Sequence, residues 1–181
     1  MGGSAEPHSV FEDCVSCEDV VPIAWRGRQG ALSSGELHRL QELTLRALRA
    51  EPGEQADVKD PQLLRLHEKL DSVLEMMGRL LEIHHPAPQP AHVRLSRMGV
   101  AWRTEPGKAP PIGEHGVLEL HLHPRLMQPL LLPAHVCAVE PRSGQVEVEV
   151  AFDSVPEPVE TALERHIFRR HRRAISETRN G

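Results

Sequence analysis

Three groups of residues in this sequence have types and spacings that chemistry uses. Cys14-Val15-Ser16-Cys17 is a C-x-x-C pair, the spacing of half a zinc site or of a dithiol redox centre. Zinc would need two more ligands, which Cys137 and a histidine could supply, but no second C-x-x-C accompanies the pair. A dithiol redox site opens a helix after a strand, and this pair precedes a strand, so two ordinary reduced thiols are expected. His121-x-His123 places two imidazoles on one face of a strand beside Glu119, either as a metal trio or as a solvent-facing row. The solvent-facing row is the expectation, with no metal held. The third group is the basic run Glu164–Arg173, which contains Arg165, Arg169, Arg170, Arg172 and Arg173 with His166 and His171. It could attract phosphate, an acidic partner or a membrane surface, but a solvated helix end whose cations complement the helix dipole accounts for it. The chain has no nucleophile elbow, no P-loop and no G-x-G-x-x-G. No catalytic residue and no cofactor are expected, and the protein reads as a non-enzyme.

The elements that must position these residues follow from hydrophobic periodicity. Val20–Arg28 reads as a strand, with Pro22 near its start where a missing N–H is tolerable. Ser33–Ala50 reads as a helix: Ser33 and Glu36 have capping-box spacing, and Leu37, Leu40, Leu45 and Leu48 form its apolar stripe. A polar Pro-Gly linker, Glu51–Asp60, leads to a second helix that opens at Asp60-Pro61 and ends near His85, before three closely spaced prolines. The period then changes from 3.6 to 2. Residues 92–104 form one strand, or two around Gly99. Residues 117–123 alternate, with Leu118, Leu120 and Leu122 opposite Glu119, His121 and His123. Residues 130–140 form a further strand, in which Pro133 suggests an edge or a bulge. A turn then leads to residues 145–152, with Val146, Val148, Val150 and Phe152 inward and Glu147 and Glu149 outward. Pro158–Thr178 is a last helix with Val159, Leu163 and Ile167 on its buried stripe. The class is α+β with a mainly β core, and short alternating strands favour a small closed barrel or sandwich.

The second helix carries the strongest pattern. A seven-residue frame puts Leu63, Leu70, Met77 and His84 at a, and Leu66, Val73 and Leu80 at d. Leu74 and Leu81 at e, with Met76 and Ile83 at g, widen the seam beyond what a two-stranded coil wants. The first helix is expected to cover part of this surface and other copies of the chain the rest. A homotetramer is expected, with a dimer as the fallback.

Composition narrows the partners. A net charge of −5, a sequence pI of about 6.2 and five aromatic residues without a tyrosine leave no footprint for nucleic acid. No apolar run reaches the ~18 residues of a membrane helix. An odd three cysteines, and a start without a hydrophobic signal region, lead to the expectation of a reducing, cytoplasmic setting.

The stretch Arg94-Leu95-Ser96-Arg97-Met98-Gly99-Val100 resembles the PilZ family, whose second motif is Asp/Asn-x-Ser-x-x-Gly in a strand. The strands that follow, and a last helix containing Ile167-Phe168-Arg169-Arg170, resemble it too. The resemblance implies a small antiparallel PilZ-like barrel with two inserted helices and a C-terminal helix. On that basis residues 1–19 are a flexible lead, 20–30 and 92–178 the barrel with its helix, and 31–91 an inserted oligomerisation region. PilZ domains that bind cyclic di-GMP carry R-x-x-x-R before the first barrel strand, where guanidinium forks grip the ligand. Here only Arg26 and Arg28 stand there, and Arg169 and Arg173 have the spacing but lie in the last helix. Arg94 replaces the motif's acceptor, and an arginine has no acceptor to offer. Arg26, Arg28, Arg94, Ser96, Arg97 and Gly99 are therefore a vestigial ligand site, and cyclic di-GMP is not expected to bind. The resemblance points instead to an adaptor that assembles through Leu63, Leu66, Leu70, Val73, Leu74, Met77, Leu80 and Leu81. Such an adaptor would contact a signalling or pilus-related protein in motility, type IV pilus function or virulence. The alternative is a cyclic di-GMP receptor with a non-standard site.

Overall fold

A computed structural model describes residues 9–12, 14–49, 61–84, 86–122 and 128–180. Six strands, β1 (Ser16–Gly27), β2 (Pro90–Ser96), β3 (Gly99–Thr104), β4 (His115–Leu120), β5 (Leu130–Arg142) and β6 (Gln145–Phe152), close into a barrel in the order β1-β2-β3-β6-β5-β4. Three helices accompany it: α1 (Ser34–Arg49), α2 (Pro61–His84) and α3 (Glu157–Asn180). Every strand pair is antiparallel, and closure gives each strand a neighbour on both sides.

The period-2 residues fill the interior as expected. Leu118, Leu120, Val100, Val136, Val148 and Val150 are fully buried, and Leu163 and Ile167 of α3 complete the same core. The 92–104 segment is two strands, because Ser96 caps a tight turn between them. Its hydroxyl donates to the Val10 carbonyl (2.8 Å) and accepts from the Met98 and Gly99 N–H groups (3.1 Å each). Gly99 is fixed by close approach: a Cβ there would collide with the Val150 carbonyl oxygen. At the β5–β6 hairpin, Ser143 (φ 46°) and Gly144 (φ 84°) both adopt the left-handed conformation that a tight two-residue turn requires.

Four expectations about the elements need correcting or narrowing. β1 begins at Ser16, four residues early, because Ser16–Asp19 pair with Ser96–Val93. That pairing also brings residues 9–19 out of the supposed flexible lead: Phe11 is buried, and the Val10 N–H donates to Glu149 Oε1 at 2.7 Å. The rest of the lead, 1–8 and 13, and the linker 51–60 lie outside the described residues. Pro133 is not a bulge but lies at the local edge of β5 left where β6 ends. It sits just beyond the last β5–β6 pair, Ala134 with Phe152, and the bulge falls at Cys137 instead.

The fourth correction concerns α1. Its stripe, with Thr44, Ala47 and Leu48 buried, faces β5 and α3, so it belongs to the barrel unit rather than to an oligomerisation region. Thr44 Oγ1 donates to the Leu131 carbonyl (2.9 Å) and accepts from the Leu131 N–H (3.0 Å). One threonine thus takes the place of a strand partner where β6 has run out. The capping box is present, with Ser33 Oγ 2.7 Å from Glu36 Oε2 and the Glu36 N–H donating back to Ser33. The Ser33 hydroxyl and the Ser33 N–H (3.0 Å), both donating to Glu36 Oε2, with the Arg28 guanidinium next in importance, hold the Glu36 carboxyl down to about 2.

Candidate functional site

The four arginines of the supposed ligand site do not converge. Arg26 and Arg28 lie at the C-terminal end of β1 and just beyond it, whereas Arg94 on β2 stands opposite Glu18 near the other end. Eight residues of strand separate Glu18 from Arg26, which at about 3.3 Å per residue is roughly 25 Å. A single dinucleotide could not be gripped by both ends.

Each arginine also has a partner within the chain. Arg26 donates to Glu119 on neighbouring β4, and the other Glu119 oxygen lies 3.0 Å from His121 Nε2. Arg28 reaches Glu36 at 3.2 Å. Arg94 stacks over the Phe11 ring, 4.1 Å from its centroid, and its Nε donates to Ser16. Arg97 bridges Glu160 (3.0 Å) and Glu164 (3.5 Å) of α3. Ser96 and Gly99 are consumed by the β2–β3 turn. What survives of the motif holds the barrel together.

Glu119 and His121 are not a solvent-facing row: their side chains are only 11% and 12% exposed. Burial pushes the Glu119 carboxyl up, but hydrogen bonds from His121 and Arg26 outweigh it and leave it below the usual carboxylate range. Glu119 and His121 are engaged by each other and by Arg26, which accounts for their placement; His123 lies outside the described residues. Cys14, Cys17 and Cys137 form no disulfide. Burial, with Glu149 nearby, pushes the Cys137 thiol up to about 11, which leaves it a poor nucleophile and a poor third ligand for a C-x-x-C zinc site. In the basic helix, Arg170 is structural: it donates to the Leu122 carbonyl and pairs with Asp19, both at 3.0 Å.

The surface that remains is on α2. Leu63, Leu66, Leu70, Val73 and Met77 are 46%, 52%, 51%, 47% and 55% exposed, and Leu64 and Met76 are exposed beside them. The side chains of Leu74, Leu80, Leu81 and His84 are outside the described set. Among the described residues α2 packs substantially on no other element, so the expected cover from α1 is missing. The reason is the Thr44–Leu131 contact, which turns the apolar stripe of α1 onto β5. No helix among the described residues is long and apolar enough to cross a membrane.

An antiparallel barrel braced by a C-terminal helix and carrying one inserted, bare apolar helix is the framework of a regulatory domain. The family model of the atypical PilZ domain, described as a cyclic di-GMP receptor, matches residues 21–180, and the chain belongs to that family. PilZ domains are receptors and adaptors, not enzymes. Among solved structures the chain is similar to a pathogenic protein from Xanthomonas campestris, described as a tetrameric PilZ domain self-assembled via an unusual helical bundle. The two share 30% identity over 92% of this chain and 90% of that one, with a TM-score of 0.72. No curated protein matches.

The distribution of roles was only partly legible in the sequence. The heptad frame pointed to α2 directly. The pairing of every arginine was not legible, because Glu119, Glu160 and Glu164 reach their partners across strands and helices that share no local pattern.

Proposed function

We propose that this protein is a non-enzymatic PilZ adaptor that self-associates through α2 and acts by protein contacts. The observation that carries this reading is the exposed apolar face of α2 formed by Leu66, Leu70, Val73, Met76 and Met77, a large surface to leave in water on a helix that, among the described residues, packs substantially on no other element. Apolar residues at e and g as well as a and d favour a bundle of more than two helices, so four copies are expected. Self-assembly of the Xanthomonas campestris relative through a helical bundle supports the same state here. A role in motility, type IV pilus function or virulence signalling, exercised in the cytoplasm, fits an adaptor of this family. The partner would be a signalling or pilus-related protein that meets several barrels at once.

The dispersed arginines support an adaptor that works without gripping cyclic di-GMP in the usual mode. The family description as a cyclic di-GMP receptor favours the second reading, a receptor with a non-standard site. Light scattering and titration calorimetry separate the possibilities. The mass of four chains and no saturable heat with cyclic di-GMP are expected. A monomer ends the assembly reading. Saturable micromolar binding that survives raised salt, and is lost in Arg26→Ala/Arg28→Ala, replaces the adaptor with the receptor.

A further inference from the structure

His115, His135 and Asp153 are separated by about twenty residues each in sequence and show no motif spacing, yet the barrel brings them together. His115 opens β4 and stands directly opposite His135 of β5 in the antiparallel register. Their rings lie 5.4 Å apart, centroid to centroid, at 38°. Asp153 follows the end of β6 and is set by its own backbone, whose N–H donates to the Pro133 carbonyl at 2.8 Å. Ser154 then turns the chain with a left-handed φ of 48°, and its carbonyl accepts from Gln41 of α1 at 3.2 Å. The carboxylate is therefore held from both sides.

The geometry points to a divalent transition-metal site, a function nothing in the arginine motif or in α2 requires. Both imidazoles aim the same ring atom, Nδ1, at the two oxygens of one carboxylate, His135 at 2.7 Å from Oδ1 and His115 at 3.2 Å from Oδ2. The three donors all lie within 4.8 Å of one another. Zinc takes nitrogen and oxygen ligands at about 2.0–2.2 Å, so donors around one ion sit roughly 3–3.5 Å apart. Small side-chain rotations would bring these three to that spacing without moving a strand. Two imidazoles and a carboxylate suit zinc and its first-row neighbours, whereas magnesium and calcium want oxygen alone.

Three protein ligands leave a coordination position open. It would face a cleft of about 630 Å³ bordered by Arg28, Leu37, Gly113, Pro133 and Ser154. Arg28, the cation of that cleft, is engaged by Glu36. His115 is exposed and the other two ligands half-buried, so an ion can enter without opening the core. A bound metal would tie β4, β5 and the end of β6 into one corner.

Zinc sulfate titrated into the intact, metal-stripped protein tests the proposal, with cobalt as a coloured substitute. One zinc per chain at low micromolar concentration is expected, with a rise in Tm. His135→Ala and Asp153→Asn should each weaken that binding at least tenfold and abolish the rise in Tm. Circular dichroism shows whether each variant keeps the barrel. His115→Ala lies at the exposed rim, and supplies the same test should the other two fail to fold. Cobalt should give visible absorption bands of a four- or five-coordinate nitrogen–oxygen site. No zinc binding in this range, or binding unchanged in a folded His115→Ala variant, overturns the proposal.

Discussion

The barrel and the second helix deal with apolar surface in opposite ways. Every inward valine and leucine of the barrel has its cover within the chain, from the opposite wall, from α3 or from the side of α1. Among the described residues of α2, Leu66, Leu70, Met76 and Met77 stay exposed, although the helix is longer than α1. The difference lies in what holds each helix. α1 is fastened by polar contacts to backbone that would otherwise go unsatisfied, at Leu131 and at Ser154, and α3 is fastened by the Arg97 and Arg170 bridges. Among the described residues α2 makes no comparably extensive contact with the barrel. An amphipathic helix so lightly held by its own chain is suited to the contacts between copies proposed above.

The largest break in the comparison should come from Val148→Asp. A buried carboxylate without a partner costs several kcal/mol against a typical stability of about 5–15 kcal/mol, so the barrel should not fold. Glu147→Ala, on the outer face of the same strand, should leave the urea midpoint nearly unchanged. Equal effects would show that the two faces of β6 have been misassigned.

Leu70→Lys with Met77→Lys attacks the other region. Like charges in the seam should reduce the mass in light scattering to that of one chain, while near-ultraviolet circular dichroism of the barrel stays the same. A variant that keeps its mass would mean that α2 is not the contact.

Ser96→Ala should cost about 1–3 kcal/mol in urea unfolding, since it strands buried backbone groups at the β2–β3 turn. Oligomer mass should not change. If cyclic di-GMP binding rather than stability were affected, Ser96 would be a ligand residue after all.

The smallest effect belongs to Glu36. Its carboxyl is held near 2 in the folded chain against an ordinary 4.5, so its contribution to α1 is present in full above about pH 4.5 and is lost as pH falls toward 2. Melting curves of the wild type and Glu36→Gln should differ slightly at pH 6 and coincide near pH 2. The α2 assembly is indifferent to this change.

Much of the fold was legible because its signals are local. The Ser33–Glu36 box, the heptads and the alternating valines each declare an element within a few residues. What failed to show depends on a partner far along the chain. Ser16–Asp19 are polar and become strand only because Ser96–Val93 lie beside them. Glu119 looks like an outward residue until Arg26 and His121 cover it, and His115, His135 and Asp153 meet only once three strands are in register.

β1 pairs with β2 along its first half and with β4 along its second, so it is the strand that closes the ring. Of the six barrel strands it is also the first to leave the ribosome. Val21 waits for Ala91, and Ile23 waits for Leu120, which is made only after both inserted helices. Ring closure is therefore a late, long-range step, slow for the same reason that β-rich topologies in general are slow. During that wait α2 has already been made, so the proposed assembly through it can begin before the barrels close. The stacking of Trp25 on Trp102, 6.4 Å between ring centroids, joins β1 to β3 and needs β1 in its place in the ring.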